Sequence, residues 1–177
     1  MNNKNILIAY FSRKGNNYFG GNIVNLPIGN TEFAAEIIEK LTGGDLFKIN
    51  PVKKYSEDYQ KCTEEAKADL QANARPELTE YLDSIKNYDF ILLGYPNWWG
   101  TLPMPVFTFL ERYDLSGKTI LPFCTHEGSG MGHSEHDIQR VCPQAIILKG
   151  LPIRGSSVKN AEKDIQRWLG ESKVLMA

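Results

Sequence analysis

Three short stretches carry residue types suited to chemistry on a planar, anionic ligand. The first is Ser12-Arg13-Lys14-Gly15, continued after an interval by Gly29-Asn30-Thr31. Short hydroxyl and amide side chains at a helix start, beside backbone N–H groups and the positive end of the helix dipole, form an anion site suited to a phosphate. The same residues read equally as an ordinary cap at Asn30 or Thr31 and a turn at Ser12. The stretch is neither GxGxxG nor GxxxxGK[ST], which argues against a dinucleotide and against ATP.

The second stretch is Gly94-Tyr95-Pro96-Asn97-Trp98-Trp99-Gly100-Thr101-Leu102-Pro103-Met104-Pro105. Two adjacent tryptophans cannot both enter one core from a regular strand, so at least one ring is expected at the site. Stacking there on a planar ligand adds roughly 0.5–1.5 kcal/mol to the contact area gained. The alternative is one core tryptophan and one covering a helix. The third stretch is Thr125-His126-Glu127-Gly128-Ser129-Gly130-Met131-Gly132-His133. Glycines at this density let backbone approach a ligand closely. His126, His133 and His136 with Glu127 and Glu135 raise a metal site, but no HExxH spacing is present and a glycine-rich loop fixes few ligand directions. Loop polarity is the plainer reading of these histidines.

These stretches need a frame that brings them together. Apolar runs at Ile6 to Phe11, Leu46 to Ile49, Phe90 to Tyr95, Thr119 to Cys124 and Ala145 to Lys149 read as strands covered on both faces, as in a parallel sheet. Helices to cover them are predicted at Thr31 to Leu41, ended by Gly43-Gly44, and from Ser56 to about Asn73, with Glu57 in its first turn. Pro76 then restarts the chain ahead of Leu78, Leu82 and Ile85. Further helices are predicted at Pro105 to Tyr113, Ser134 to Val141 and Lys159 to Leu169. The alternation implies right-handed crossovers and a doubly wound α/β sandwich with one domain over residues 1–177. The glycine-rich segment from Gly15 to Gly29 has no strong period and reads as an inserted loop between the first strand and the first helix. Its apolar residues argue against plain disorder and fit a short hairpin folding over a site as well as a packed surface flap.

At 177 residues, 42% hydrophobic and 23% charged, the chain lies in the ordinary globular range. Its 20 basic and 21 acidic residues give a net charge of −1, without the field that gathers nucleic acid or an anionic membrane surface, and neither is expected as a partner. Cys62, Cys124 and Cys142 are odd in number and far apart, which fits buried free thiols better than disulfides or a metal motif. The first apolar run is too short for a secretory or membrane segment, so a cytoplasmic location is expected.

Taken together, the three loops resemble those of the flavodoxin family over nearly the whole chain and in the expected order. The match runs through Ala9-Tyr10-Phe11-Ser12-Arg13 with the displaced Gly29-Asn30-Thr31, then Leu93 to Gly100, then Thr125 to Gly130. The resemblance implies a five-stranded parallel sheet of order 2-1-3-4-5 with helices on both faces. It also implies non-covalent FMN, with its phosphate on the first loop and its isoalloxazine between the other two. Carried over residue by residue, the phosphate role falls on Ser12, Arg13, Asn30 and Thr31. The ring role falls on Pro96, Asn97, Trp98, Trp99 and Gly100, and on Thr125, His126, Glu127, Gly128, Ser129 and Gly130. The segment from Gly15 to Gly29 interrupts the family's TxTGxT pattern. No side chain needs to be catalytic, because the flavin carries the chemistry. A peptide within Pro96 to Gly100 is a candidate to rotate toward the reduced ring, and Glu127, if it points inward, would disfavour an anionic reduced flavin. Three functions follow: an electron carrier docking with redox partner proteins, a reductase passing electrons from NAD(P)H to a quinone or similar small acceptor, and an interaction or sensor domain without flavin. The near-equal charge balance weakens the carrier reading, since many shuttles of the family are strongly acidic, and the fold alone does not choose.

Overall fold

The computed structural model describes residues 5–175; Met1–Lys4 and Met176–Ala177 lie outside them. Along the chain run β1 (Ile6–Tyr10), β2 (Gly15–Phe19), β3 (Asn22–Leu26), α1 (Asn30–Thr42), β4 (Asp45–Lys48), α2 (Tyr59–Gln71) and β5 (Phe90–Pro96). There follow α3 (Met104–Arg112), β6 (Thr119–His126), α4 (Ser134–Val141), β7 (Ile146–Ile147), β8 (Leu151–Arg154), a 3-10 helix (Gly155–Asn160) and α5 (Glu162–Glu171). The main sheet has the order β4-β1-β5-β6-β7, with β8 also paired to β6, and all its pairings are parallel. This is the predicted order, except that the fifth position is shared by two short strands.

A proline explains that division. Leu148 N–H donates to the Ile120 carbonyl at 3.0 Å, so Ile120 faces the fifth position. Backbone groups alternate sides along a strand, so Pro122 faces it too and has no N–H to give. The ladder breaks there. Gly150 N–H turns instead to Glu135 Oε1 at 2.6 Å, and the Lys149 carbonyl accepts from Trp168 Nε1 at 2.9 Å. Pairing resumes where Phe123 meets Leu151. The predicted strand Ala145 to Lys149 is therefore shorter than expected, and Leu151–Arg154 is an addition that Pro152 concealed.

Alternation along the strands builds two cores. Leu7, Ala9, Ile91, Leu93, Tyr95 and Ile120 pack against α3 and α4, while Ile8, Leu92, Leu121, Phe123 and Ile153 pack against α1 and α5. Helix α1 ends as expected at Gly43, whose φ of 68° lets its N–H reach the Glu39 carbonyl. Helix α2 begins at Tyr59 rather than Ser56, because Asp58 caps it by accepting from Lys61 N–H at 2.8 Å. After α2 the chain runs to β5 without a further helix. Leu78 and Ile85 drop into the core, and Leu82 N–H is held by the Tyr113 hydroxyl at 2.8 Å. All three cysteines are free and buried, and burial pushes the Cys62 and Cys142 thiols up to about 11 and Cys124 to about 12.

Gly94 on β5 leaves the space that the fully buried Phe123 ring of β6 fills; a Cβ at Gly94 would fall inside that ring. Gly94→Ala is expected to destabilise the fold by about 1–3 kcal/mol through overpacking, read as a lower urea midpoint. An unchanged midpoint would show that the ring can move aside.

Candidate functional site

In an open parallel sheet the carboxyl ends of the strands form the ligand crevice. Here the loops after β1, β5 and β6 meet at that edge. At the first, Ser12 Oγ accepts from Glu32 N–H at 3.0 Å, and Phe33 N–H begins the α1 ladder on the Gly29 carbonyl at 3.0 Å. The N–H groups of Asn30 and Thr31 take no acceptor among the described residues. They remain available to an anion at the positive end of a 13-residue helix. Gly29 is required at the neck, where a Cβ would run into Ser12 Oγ and the Arg13 carbonyl.

After β5 the chain turns back at once. Trp98 and Thr101 exchange backbone hydrogen bonds of 3.0 and 3.2 Å around Trp99 and Gly100, whose φ values are 55° and 85°. Two successive left-handed residues make a type I′ turn, a conformation that costs a non-glycine residue such as Trp99 about 1–2 kcal/mol. The two tryptophans diverge. Trp98 packs edge-on against Phe11 and Tyr55, with centroids 5.1 and 4.9 Å away. Trp99 is 49% exposed and lies on α2, with Nε1 donating to the Thr63 carbonyl at 2.9 Å and Lys67 Nζ 5.2 Å above its ring.

The three loops are bonded to one another. The Thr31 and Thr125 hydroxyls share a 2.7 Å hydrogen bond, both residues being nearly inaccessible. Asn97 N–H donates to the Thr125 carbonyl, and its side chain spans the second and third loops by accepting from Gly100 N–H and donating to the Gly130 carbonyl, each at 2.9 Å. Gly128, Gly130 and Gly132 all have positive φ. His126 Nδ1 accepts from Gly128 N–H at 2.9 Å, which assigns its proton at neutral pH to Nε2. Partial burial, then the nearby Arg154, lowers the pKa of this imidazole.

Two predicted site residues are turned to other work. Glu127 faces the 3-10 helix, its carboxylate accepting from Ser156 N–H at 2.6 Å, Ser156 Oγ at 3.0 Å and Gly20 N–H at 3.4 Å. Arg13 donates to the carbonyls of Asn16, Ser56 and Glu57. Both grip the insertion. Residues 15–26 form the antiparallel hairpin β2–β3, turning at Gly20-Gly21 with φ of 61° and 96°. Arg13 pins its base beside the start of α2, and Glu127 holds its tip beside Ser156. His133 and His136 lie near Asp137 at 3.4 and 3.8 Å, apart from the bond His126 makes. No three metal-ligating side chains cluster among the described residues. A cavity of about 480 Å³ lies behind Tyr55, lined by Lys53, Glu65, Asp69 and Arg75 among others. Arg75 is paired with Glu111 and Asp69 with the Tyr55 hydroxyl, and the cavity does not include the free N–H groups of α1.

The crevice, the sheet order and the three loops agree with one family. The flavodoxin family model matches residues 5–172. The chain belongs to the flavodoxin family. It is similar to the crystal structure of a flavoprotein from Bacteroides eggerthii, at 30% identity over 94% of this chain and 96% of that one, with a TM-score of 0.76. A Bacteroides uniformis flavoprotein is 28% identical over 94% and 97%, with a TM-score of 0.74. A flavoprotein from Lactobacillus acidophilus, solved in complex with FMN, shares the fold at 22% identity over 89% and 97%, with a TM-score of 0.62. No curated protein matches the chain. No helix among the described residues is long and apolar enough to cross a membrane.

Within the family's plan, Ser12, Asn30, Thr31, Pro96 to Gly100 and Thr125 to Gly130 come to one edge. Gly20 and Ser156, which hold the hairpin tip, and Tyr55, which packs on Trp98, were not among the sequence candidates. The Gly20-Gly21 pair between residues of mixed polarity was a readable hairpin signal; Ser156 carries none. Glu127→Ala removes the acceptor that holds the tip. Local opening of β2–β3 is expected to rise at least about tenfold, since bonds to a charged group contribute roughly 1.5–3 kcal/mol each. Limited chymotrypsin cleavage at Tyr18 or Phe19 measures this, and an unchanged cleavage rate would mean the tip is held elsewhere.

Proposed function

We propose that this chain binds one FMN without a covalent bond and uses it to carry electrons between redox partner proteins. The observation that carries the reading is the bonded union of three loops at one sheet edge. It sets the free N–H groups of Asn30 and Thr31 and the Ser12 hydroxyl beside a rigid aromatic turn and a glycine-rich loop. The donor set fits a phosphate, and the left-handed glycines at 128 and 130 fit close approach of backbone to a planar ring. The carboxylate of Glu127 is committed to Ser156 and Gly20, which leaves the backbone of the third loop to face the crevice. The FMN complex of the similar Lactobacillus acidophilus protein supports the same choice of cofactor.

FMN, when bound, supplies one- and two-electron chemistry that no side chain here possesses. Ser12, Asn30 and Thr31 would hold its phosphate, with Arg13 acting at one remove by fixing the hairpin base. Asn97 to Gly100 and Thr125 to Gly130 would border its ring. Asn97 restrains rotation of the Trp99–Gly100 peptide, because turning that peptide over breaks the bond from Gly100 N–H. A reductase acting on NAD(P)H and a small acceptor is the second reading. It is favoured by one feature: the hairpin, with Tyr18 44% and Ile23 50% exposed, gives apolar surface beside the first loop that a substrate wall would need.

Adding FMN to the apoprotein is expected to quench tryptophan fluorescence and saturate at one per chain. A Ser12→Ala variant, which leaves the Thr31–Thr125 bond intact, is expected to weaken FMN far more than riboflavin, because only FMN presents the phosphate. Equal loss for both flavins would remove the phosphate assignment. The FMN-loaded protein is expected to oxidise NADH or NADPH slowly even with a quinone present, and to be reduced much faster by a flavoprotein reductase. Rapid turnover saturating in both substrates would replace the carrier reading with the enzyme.

A further inference from the structure

The left-handed Trp99 raises a physical question: a bulky residue keeps such a backbone only where its surroundings over-determine it. Asn97 secures one side of the turn. The other side is secured by α4, which has no place in the cofactor assignment above. His133 N–H donates to the Gly100 carbonyl at 2.8 Å, and the Thr101 hydroxyl donates to Asp137 Oδ2 at 2.6 Å. A Cβ at Gly100 would lie 3.0 Å from the His133 ring, so turn and helix are in direct contact. Thr101 is 1% exposed and the Asp137 side chain 13%.

Asp137 reaches beyond its own helix. Its carboxylate leaves the first turn of α4 to take a hydroxyl from the β5 loop, and it is flanked by Arg140 Nη2 at 3.5 Å and by the rings of His133 and His136. Its neighbour Glu135 points elsewhere, to Gly150 N–H. A largely buried carboxylate joined to a buried hydroxyl at 2.6 Å is a charge-assisted bond, among the stronger that a side-chain pair can form.

We propose that Asp137 is a positioning residue for electron transfer: through Thr101 it fixes the seat of the Trp98–Thr101 turn and so tunes the reduction potential of the bound cofactor. This rests on the FMN reading. A turn that moves touches the oxidised and reduced rings unequally, and any inequality between those two affinities is a change in potential.

The test uses Asp137→Ala, Thr101→Val, the double variant and Asp137→Asn, each loaded with FMN. Both single variants are expected to change the ratio of oxidised to reduced FMN affinity at least tenfold in the same direction, about 30 mV for a two-electron couple. The double variant is expected to go no further than either single one, as for residues acting through one bond. Asp137→Asn, which still accepts from Thr101, is expected to restore most of the wild-type potential. In the apoprotein, amide exchange at Gly100 is expected to quicken about tenfold in both single variants if the bond contributes about 1.4 kcal/mol to holding the turn. Unchanged potentials with a lowered melting temperature would make Asp137 purely structural and overturn the proposal while leaving FMN binding intact. Unchanged apoprotein exchange would overturn the brace whatever the flavin does. Wild-type protein that takes up no FMN would overturn the flavin reading and the tuning role with it.

Discussion

The hydrogen bond between the Thr31 and Thr125 hydroxyls is the constraint on which the crevice depends. It joins the start of α1 to the end of β6 across the intervening β5, and both residues are buried where an unpaired hydroxyl would be costly. Removing one partner would leave the other without its match, so the pair holds helix and strand at one separation. Between them, Gly94 of β5 gives its side-chain space to the Phe123 ring of β6. Once α1 is fixed there, its free N–H groups stand beside the third loop, and Asn97 draws the second loop to the same place.

From this constraint the roles of the surrounding residues follow. Backbone groups and small side chains face the crevice, while the charged residues nearest to it act as fasteners: Arg13 and Glu127 on the hairpin, Asp137 on the turn. A site built in this way stabilises a cofactor through directed N–H groups and rigid surfaces rather than through side chains that react. It suits a protein whose reactivity resides in the bound group. The hairpin adds exposed apolar surface to this plan, and the choice between partner proteins and small acceptors turns on what meets that surface.

Much of this was legible in the sequence, for identifiable reasons. The strands Ile6–Tyr10, Phe90–Pro96 and Thr119–His126 are buried on both faces, so their unbroken apolar runs marked them plainly. Ser134–Val141 was found to the residue because its helical spacing is flanked by polar turns. The fifth position was hidden because its division depends on a missing N–H at Pro122, a partner distant in sequence. The glycine-rich segment stood out from the strand–helix alternation, but the direction of Arg13 and Glu127 was not readable, since their partners Ser56 and Ser156 come together only through the fold. The same holds for the tryptophans. Their divergence follows from a left-handed Trp99, which residue preference argues against.

If one crevice formed by three bonded loops receives FMN, titrating the labelled apoprotein with FMN will move the backbone amides of all three loops. The largest shifts are expected on residues 12–13, 29–32, 96–101 and 125–130 together, with Asn30 and Thr31 moving most on the phosphate side. Shifts centred instead on Lys53, Tyr55 and Arg75, around the cavity behind Tyr55, would contradict it, as would saturation that leaves any one of the three loops unmoved.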